Sequence, residues 1–457
     1  MRSLFFSIFI IVLSCLGCRK EDDYYVDPRN PLEFSEDSIS FDTVFTTTGS
    51  TYRRVKVFNR SNKKIKISEI KLMGGESSSY QININGQASS LLTDFELRGR
   101  DSINMFIKVT INPNAENQPF IVTDSVQFIT EGNIQQLHLR AFGQNAHFVK
   151  DLVIDENTVW DNSLPYVVYN FVKVNEGKTL IIPKGSRIYF HKGGKLEVAG
   201  TLRIEGEADD SVTIASDRLE RLPYAEEKGQ WDGIRFLESS RDNFINHATI
   251  KNALIGLQTG TSSATSSVNL FIANSIVKNM EIAGITGYKS SITAFNNLFA
   301  NCGRYLIYCP NGGNFNFKQN TFVNLSSRTT PSLYFSDILS ESTTGPLQVT
   351  LINNIIWGAL QDELIVEKKG NDFSQTIRSN LIKSTDRNIA SFGNIVNENP
   401  SFVANSITYY LMPGSTAENK GEDLSSDPNF LLWLSSDKNN KTRIFPSELG
   451  CYEIIQN

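Results

Sequence analysis

Side-chain catalysis needs acids, bases or nucleophiles that converge, and this sequence has few candidates. Its histidines are His138, His147, His191 and His247. Carboxylates beside turn or strand-end chemistry are Asp209-Asp210, Asp232, and the run Asp362, Glu363, Glu367 and Asp372. Cleaving a glycosidic bond by hydrolysis takes a carboxylate pair roughly 5–9.5 Å apart. A calcium-dependent elimination takes two or three carboxylates towards a shell of about 6–8 oxygens, plus an Arg or Lys base. From Lys251 to Phe335, however, Glu281 is the only carboxylate and histidine is absent. Neither constellation can be assembled there. Tyr288, Lys289, Tyr305 and Tyr308 leave a metal-free elimination by phenol and ammonium groups open.

The remaining ionisable groups read as structural. Asp209-Asp210 lies between Gly206 and the apolar run Val212 to Ile214, which is turn chemistry. Asp232, in Trp231-Asp232-Gly233, is expected at a corner, and His191 and His247 at strand ends as satisfied structural groups. Asp362, Glu363, Glu367 and Asp372 have Lys368 and Lys369 among them and read as a solvated face. Cys302, Cys309 and Cys451 show no zinc spacing with the histidines, although an oxidising compartment permits a Cys302–Cys309 bridge. No residue is assigned a catalytic, cofactor-binding or metal-ligating role, and no cofactor is expected. The net charge of -5, with no basic block, gives no reason to expect nucleic acid as a partner.

Stepping along the chain, two kinds of element emerge to position these groups. Between residues 34 and 147 short apolar alternations are separated by turn residues. Arg54-Val55-Lys56-Val57-Phe58 is broken by Asn59 to Asn62, then Ile65-Lys66-Ile67 resumes, and Tyr80 to Ile84, Ile103 to Ile111, Ser125 to Ile129 and Leu137 to Leu139 follow. This spacing predicts an antiparallel β-sandwich with Val55, Val57, Ile65 and Ile67 inside and Lys56 and Lys66 outside. The order V-x-V-x-N, I-x-V-x-I-x-P and L-x-L-x-A-x-G resembles an immunoglobulin-like domain of the abnormal-spindle/Hydin type. Such a resemblance implies a domain that positions or binds.

From residue 148 to 457 the pattern changes. Val174 to Phe190, Lys195 to Leu202, Val212 to Ile214 and Trp231 to Phe236 alternate short apolar runs with glycine turns at Gly185, Gly193, Gly194, Gly200 and Gly206, where positive φ is expected. A motif then recurs as Asn274-Ser275-Ile276, Asn297-Leu298-Phe299, Asn320-Thr321-Phe322, Asn354-Ile355-Ile356 and Asn380-Leu381-Ile382. Its asparagines lie 23, 23, 34 and 26 residues apart by subtraction. Ser340 to Gly345 explains the long step as a loop leaving the stack. Repeats of this length cannot bury an inner face alone, so they stack, with asparagines bonded to one another along the axis. The order resembles right-handed parallel β-helix proteins of the pectate-lyase-like superfold. The segments at Asn399 to Phe402, Tyr410 to Ser415 and Leu449 to Glu453 resemble the closing segment that folds back along the last coils of surface-anchored members. The fold class expected is therefore all-β, an N-terminal immunoglobulin-like β-sandwich followed by a right-handed parallel β-helix.

The N-terminus adds an address. Met1-Arg2-Ser3 precedes the apolar run Leu4 to Leu13, too short for a span of about 20 residues but suited to a signal peptide. Ser14-Cys15-Leu16-Gly17-Cys18 resembles a lipobox, which implies signal residues 1–17, a lipid on Cys18 and a tether over 18–33; Cys15 is the rival acceptor. Lys20-Glu21-Asp22-Asp23 resembles the acidic export signal of Bacteroidota surface lipoproteins. These resemblances imply an outer-membrane location, lipid-anchored and facing the cell exterior. The function expected is non-catalytic: binding or scaffolding, as an accessory subunit of an outer-membrane protein complex or as an adhesion module. A polysaccharide lyase or glycoside hydrolase is the alternative, and a glycan-binding protein a further one. The aromatics from Phe271 to Tyr334 separate these readings only once core and surface are told apart.

Overall fold

The computed structural model describes residues 24, 32–220, 223–261, 268–404 and 408–454. Cys15, Cys18 and Lys20 to Asp23 lie outside the described residues. The chain forms two compact units, Met1–Asn145 and Ala146–Asn457, both built of strands.

In the first unit two five-stranded sheets share one core. Arg53–Phe58 pairs antiparallel with Ser102–Val109, and Ile65–Leu72 with Phe120–Thr130. Val55, Val57, Ile65 and Ile67 are buried, while Lys66 is exposed and Lys56 half-buried, as the alternation predicts. One pairing departs from an antiparallel scheme: Ser38–Phe45 runs parallel to Asn133–Gln144.

The second unit is a stack of coils joined by parallel pairing, an arrangement compatible with a β-helix. A typical coil contributes three strands, such as Ser290–Phe295, Leu298–Ala300 and Tyr305–Cys309. Each pairs in register with its counterpart one coil on, in Gly313–Lys318, Thr321–Asn324 and Leu333–Ser336. In a three-strand coil the first strand belongs to a nine-stranded sheet and the other two to an eighteen-stranded one. Inward Ile, Leu, Val and Phe merge into one core running from Ile154 to Ile382. Corners demand short side chains. At Gly233 a Cβ would lie 1.7 Å from the Ile255 carbonyl oxygen. Gly185 and Gly193 adopt the positive φ expected of them. Gly194, Gly200 and Gly206 do not; they are glycine because neighbouring carbonyl oxygens would lie 2.8, 2.1 and 2.2 Å from a Cβ.

The asparagine repeat is an internal ladder. The Asn320 side-chain oxygen accepts from the Asn297 backbone N–H at 2.9 Å, that of Asn354 from Asn320 at 2.9 Å, and that of Asn380 from Asn354 at 2.8 Å. All four side chains are fully buried. The register corrects one assignment: Ile276 pairs with Leu298, so Ser275, not Asn274, opens the ladder. Asn274 belongs to a neighbouring left-handed column with Asn296, Gln319 and Asn353, where asparagine tolerates positive φ. The last segment folds back along that column. Arg443 donates to the Asn296 Oδ1 at 3.0 Å, and Glu422 N–H donates to the Asn353 Oδ1 at 2.9 Å.

Candidate functional site

One column of the eighteen-stranded sheet, at least partly exposed except at the buried Thr286, changes character along the axis. Successive register pairs link Lys173, Glu197, Arg235, Gln258, Thr286, Tyr308, Tyr334 and Ile365. Its early coils are charged and its late coils aromatic. A second column, Ile255–Ala283–Tyr305, runs beside it. These strands form because β-branched and aromatic residues alternate at period two, and parallel stacking repeats one position coil after coil.

The tyrosines form a contiguous half-exposed group. Tyr305 and Tyr308 have ring centroids 4.5 Å apart, and Tyr308 and Tyr334 5.5 Å. The Tyr334 hydroxyl donates to Glu367. Burial raises the phenol pKa of Tyr305, Tyr308 and Tyr334, the last to about 12, so all three stay neutral at physiological pH. Leu254 and Ile365, 37% and 39% exposed, extend the apolar character of this face. By contrast Phe295, Phe299, Phe315, Phe317 and Phe322 are fully buried, and Phe271 is half-buried beneath Trp433 with centroids 4.7 Å apart. The structure thus divides the aromatic cluster into core phenylalanines and surface tyrosines, a division periodicity alone does not reveal.

The acids expected to share a solvated face are dispersed. Glu363 is fully buried and ion-paired with Arg328, itself almost wholly buried, and accepts from the Ser332 backbone N–H at 3.0 Å and hydroxyl at 2.7 Å. Its charge is compensated inside the fold, which corrects the solvated reading. Asp362 accepts from the Thr385 N–H, Glu367 holds Tyr334, and Asp372 lines a cleft on the other sheet. Asp210 closes a turn with Glu207 as expected.

His191 is not a lone histidine. Its Nδ1 lies 2.7 Å from the Asp217 Oδ2, and its ring is 4.8 Å from that of Tyr169. Asp217 is largely buried, which raises its pKa despite the opposing imidazole. This orients the ring as in a general base, but neither the contacts of His191 nor those of Asp217 include a nucleophile. His247 is buried and its pKa is lowered to about 4, chiefly by desolvation. Cys302, Cys309 and Cys451 are free and buried, so the bridge that the sequence left open is not formed. Cys302 sits at a corner with Sγ against the Ala300 carbonyl, whereas Cys309 ends the next strand and packs inside the coil under Gly287. Burial raises the Cys302 and Cys309 thiol pKa values.

Among the described residues no cluster of three or more His, Cys, Asp or Glu is placed to hold a metal ion. No helix among them is long and apolar enough to cross a membrane, which says nothing of membrane-spanning strands.

No protein-family model matches the sequence, and no curated protein matches it. Two solved structures show partial likeness. One is a family 123 glycoside hydrolase from Clostridium perfringens, described for glycolipid glycan hydrolysis. It is 10% identical over 24% of this chain and 25% of that one, with a TM-score of 0.18. The other is a protein of unknown function from Porphyromonas gingivalis W83, 10% identical over 28% of this chain and 60% of that one, with a TM-score of 0.19. The chain spans less than two thirds of either structure's length. At these scores neither likeness carries an argument.

Proposed function

We propose that this protein is a non-catalytic docking and scaffolding lipoprotein of the cell surface. In this reading Cys18 carries the lipid that holds it to the outer membrane, facing the exterior. An immunoglobulin-like sandwich precedes a right-handed parallel β-helix, and the helix presents its late coils to an outer-membrane protein partner. The observation that carries the reading is the outward group Tyr305, Tyr308 and Tyr334 with Ile365. Tyrosine is enriched at binding hot spots because it combines large apolar area with a hydroxyl and little rotamer entropy. The deciding experiment compares capture of a membrane partner by the wild-type lipidated chain and by a Tyr305→Thr, Tyr308→Thr, Tyr334→Thr variant. Retained capture by a folded triple variant contradicts the reading.

A polysaccharide lyase or hydrolase is a second reading, favoured by the His191–Asp217 pair alone. Release of products from acidic and neutral polysaccharides, abolished by His191→Ala, would establish it. No product from the wild-type chain sinks it.

A further inference from the structure

The outer face of the nine-stranded sheet carries a different surface, unused by the docking reading. Two hollows lie on it, of about 640 and 320 Å³, and both are lined by Ser291. They are parts of one trough along the axis of the coils. The smaller starts at Arg203 and Phe244; the larger ends at Phe373 and Ser374. The strands beneath are paired in unbroken parallel register from Thr201–Glu205 to Phe373–Arg378.

The trough mixes outward polar side chains with apolar ones such as Phe244, Phe271, Leu347 and Phe373, and carries little charge. One outward column reads Asn269, Ser291, Asn314, Gln348 and Ser374, each aligned with the next. In the column beside it, Phe271 and Thr293 are aligned and also line the smaller hollow. Parallel strands are about 4.8 Å apart, so a chain lying along the axis meets a fresh amide or hydroxyl at each such step.

The walls limit what fits. Trp433, from the closing segment, packs on Phe244 and Phe271 at one end. The loop bearing Leu339 and Pro346 bounds the other. Charged lining residues are Arg203, Asp242, Lys289 and Asp372, two of each sign. Arg203 is already bonded to Glu205 at 2.8 Å and lies over the Phe244 ring at 4.8 Å. The trough therefore offers neither sign of charge in excess to an occupant. A polyanion would leave its charges uncompensated, and an apolar chain would strip water from amides without replacing their bonds.

We infer that the trough binds an uncharged, hydroxyl-rich linear chain, a neutral glycan, laid parallel to the coil axis. Hydroxyls both donate and accept, so they match alternating Ser, Thr, Asn and Gln without a fixed order. Binding is additive along the trough, and affinity grows with chain length until the floor is covered. This site is independent of the tyrosine face.

The test is calorimetric titration of the full chain with neutral oligosaccharides of glucose, mannose and xylose, from trimers to octamers, and with oligogalacturonate as the acidic comparator. The inference predicts that at least one neutral series binds, more tightly with length, and that oligogalacturonate does not. Replacing Asn314 and Gln348 together with alanine is expected to weaken that binding by about tenfold or more, from two lost hydrogen bonds. Both side chains are at the surface, so circular dichroism should be unchanged; Tyr308→Thr and Tyr334→Thr should leave the glycan affinity as it was. Failure of every neutral series, preference for the acidic one, or indifference to Asn314→Ala with Gln348→Ala overturns the inference.

Discussion

Two columns of repeated residues run along the solenoid, and only one of them is needed to hold it together. Inside the corner, Asn297, Asn320, Asn354 and Asn380 are fully buried, and each amide is used by the coils on either side. On the surface, Tyr308 and Tyr334 occupy equivalent positions of successive coils and are half-exposed. The same parallel register makes both columns, since it repeats any position every coil. What differs is burial: the internal amides are sealed inside the fold, whereas the tyrosine rings are half-exposed, although the Tyr334 hydroxyl is held by Glu367. The internal column is structural because nothing is left to bind with; the external one is free to recognise a partner because the fold does not depend on it.

Substitutions at the buried polar groups should have the largest effects. Asn320→Ala strips a partner from the Asn297 N–H and amide and from the carbonyls of Ala294 and Lys318. A loss of about 3–5 kcal/mol in urea unfolding is expected, since each orphaned buried group costs roughly 1–3 kcal/mol. Arg328→Met, which leaves Glu363 buried without its counter-charge, should cost a similar ~3–5 kcal/mol. If Asn320→Ala unfolds within about 1 kcal/mol of wild type, the internal column is not the element that holds the coils; the same result for Arg328→Met would show that Glu363 does not depend on its counter-charge.

A smaller effect comes from His247, which stands at the head of the left-handed column one coil before Asn274. Its pKa is lowered to about 4 by burial, with Lys438 adding to the effect and Glu207 and Asp209 opposing it. In the unfolded chain the imidazole titrates near 6.5, so between the two values the unfolded state holds more protons. Stability is therefore fully present above pH 6.5 and falls as pH drops towards 4, by roughly 2–3 kcal/mol for this group. His247→Asn keeps a residue that tolerates positive φ and should flatten that part of the pH profile in thermal melts. An unchanged profile would show that His247 is not the group responsible.

The smallest stability effect belongs to the surface column. Tyr308→Thr and Tyr334→Thr preserve β-propensity and are each expected to change unfolding by under about 1 kcal/mol. A larger loss would mean that the tyrosines are part of the structure, and the contrast between the columns would fail.

Much of this organisation was legible in the residues. Apolar alternation placed Val55, Val57, Ile65 and Ile67 in a core, because strand periodicity maps directly onto burial. The Asn-containing period disclosed stacked coils, since one residue type recurring at similar intervals has to be aligned by stacking. Alignment was wrong by one residue at Ser275, because serine and asparagine can fill the same position and Asn274 stood beside it. Burial of Glu363 was hidden, as its partner Arg328 lies 35 positions away and the adjacent lysines suggested solvent. The pairing of His191 with Asp217, and the trough floor drawn from five separate coils, depend on register across the stack. No local window contains that information.

The central claim is most directly tested by capture from membranes. The tagged, lipidated full chain is recovered from membranes solubilised in mild detergent and its companions are identified by mass spectrometry, alongside the Tyr305→Thr, Tyr308→Thr, Tyr334→Thr variant. The account predicts a stoichiometric membrane protein with the wild type, reduced at least tenfold with the variant while the melting temperature is nearly unchanged. A wild-type chain that emerges alone, or a partner held equally by both, would contradict it.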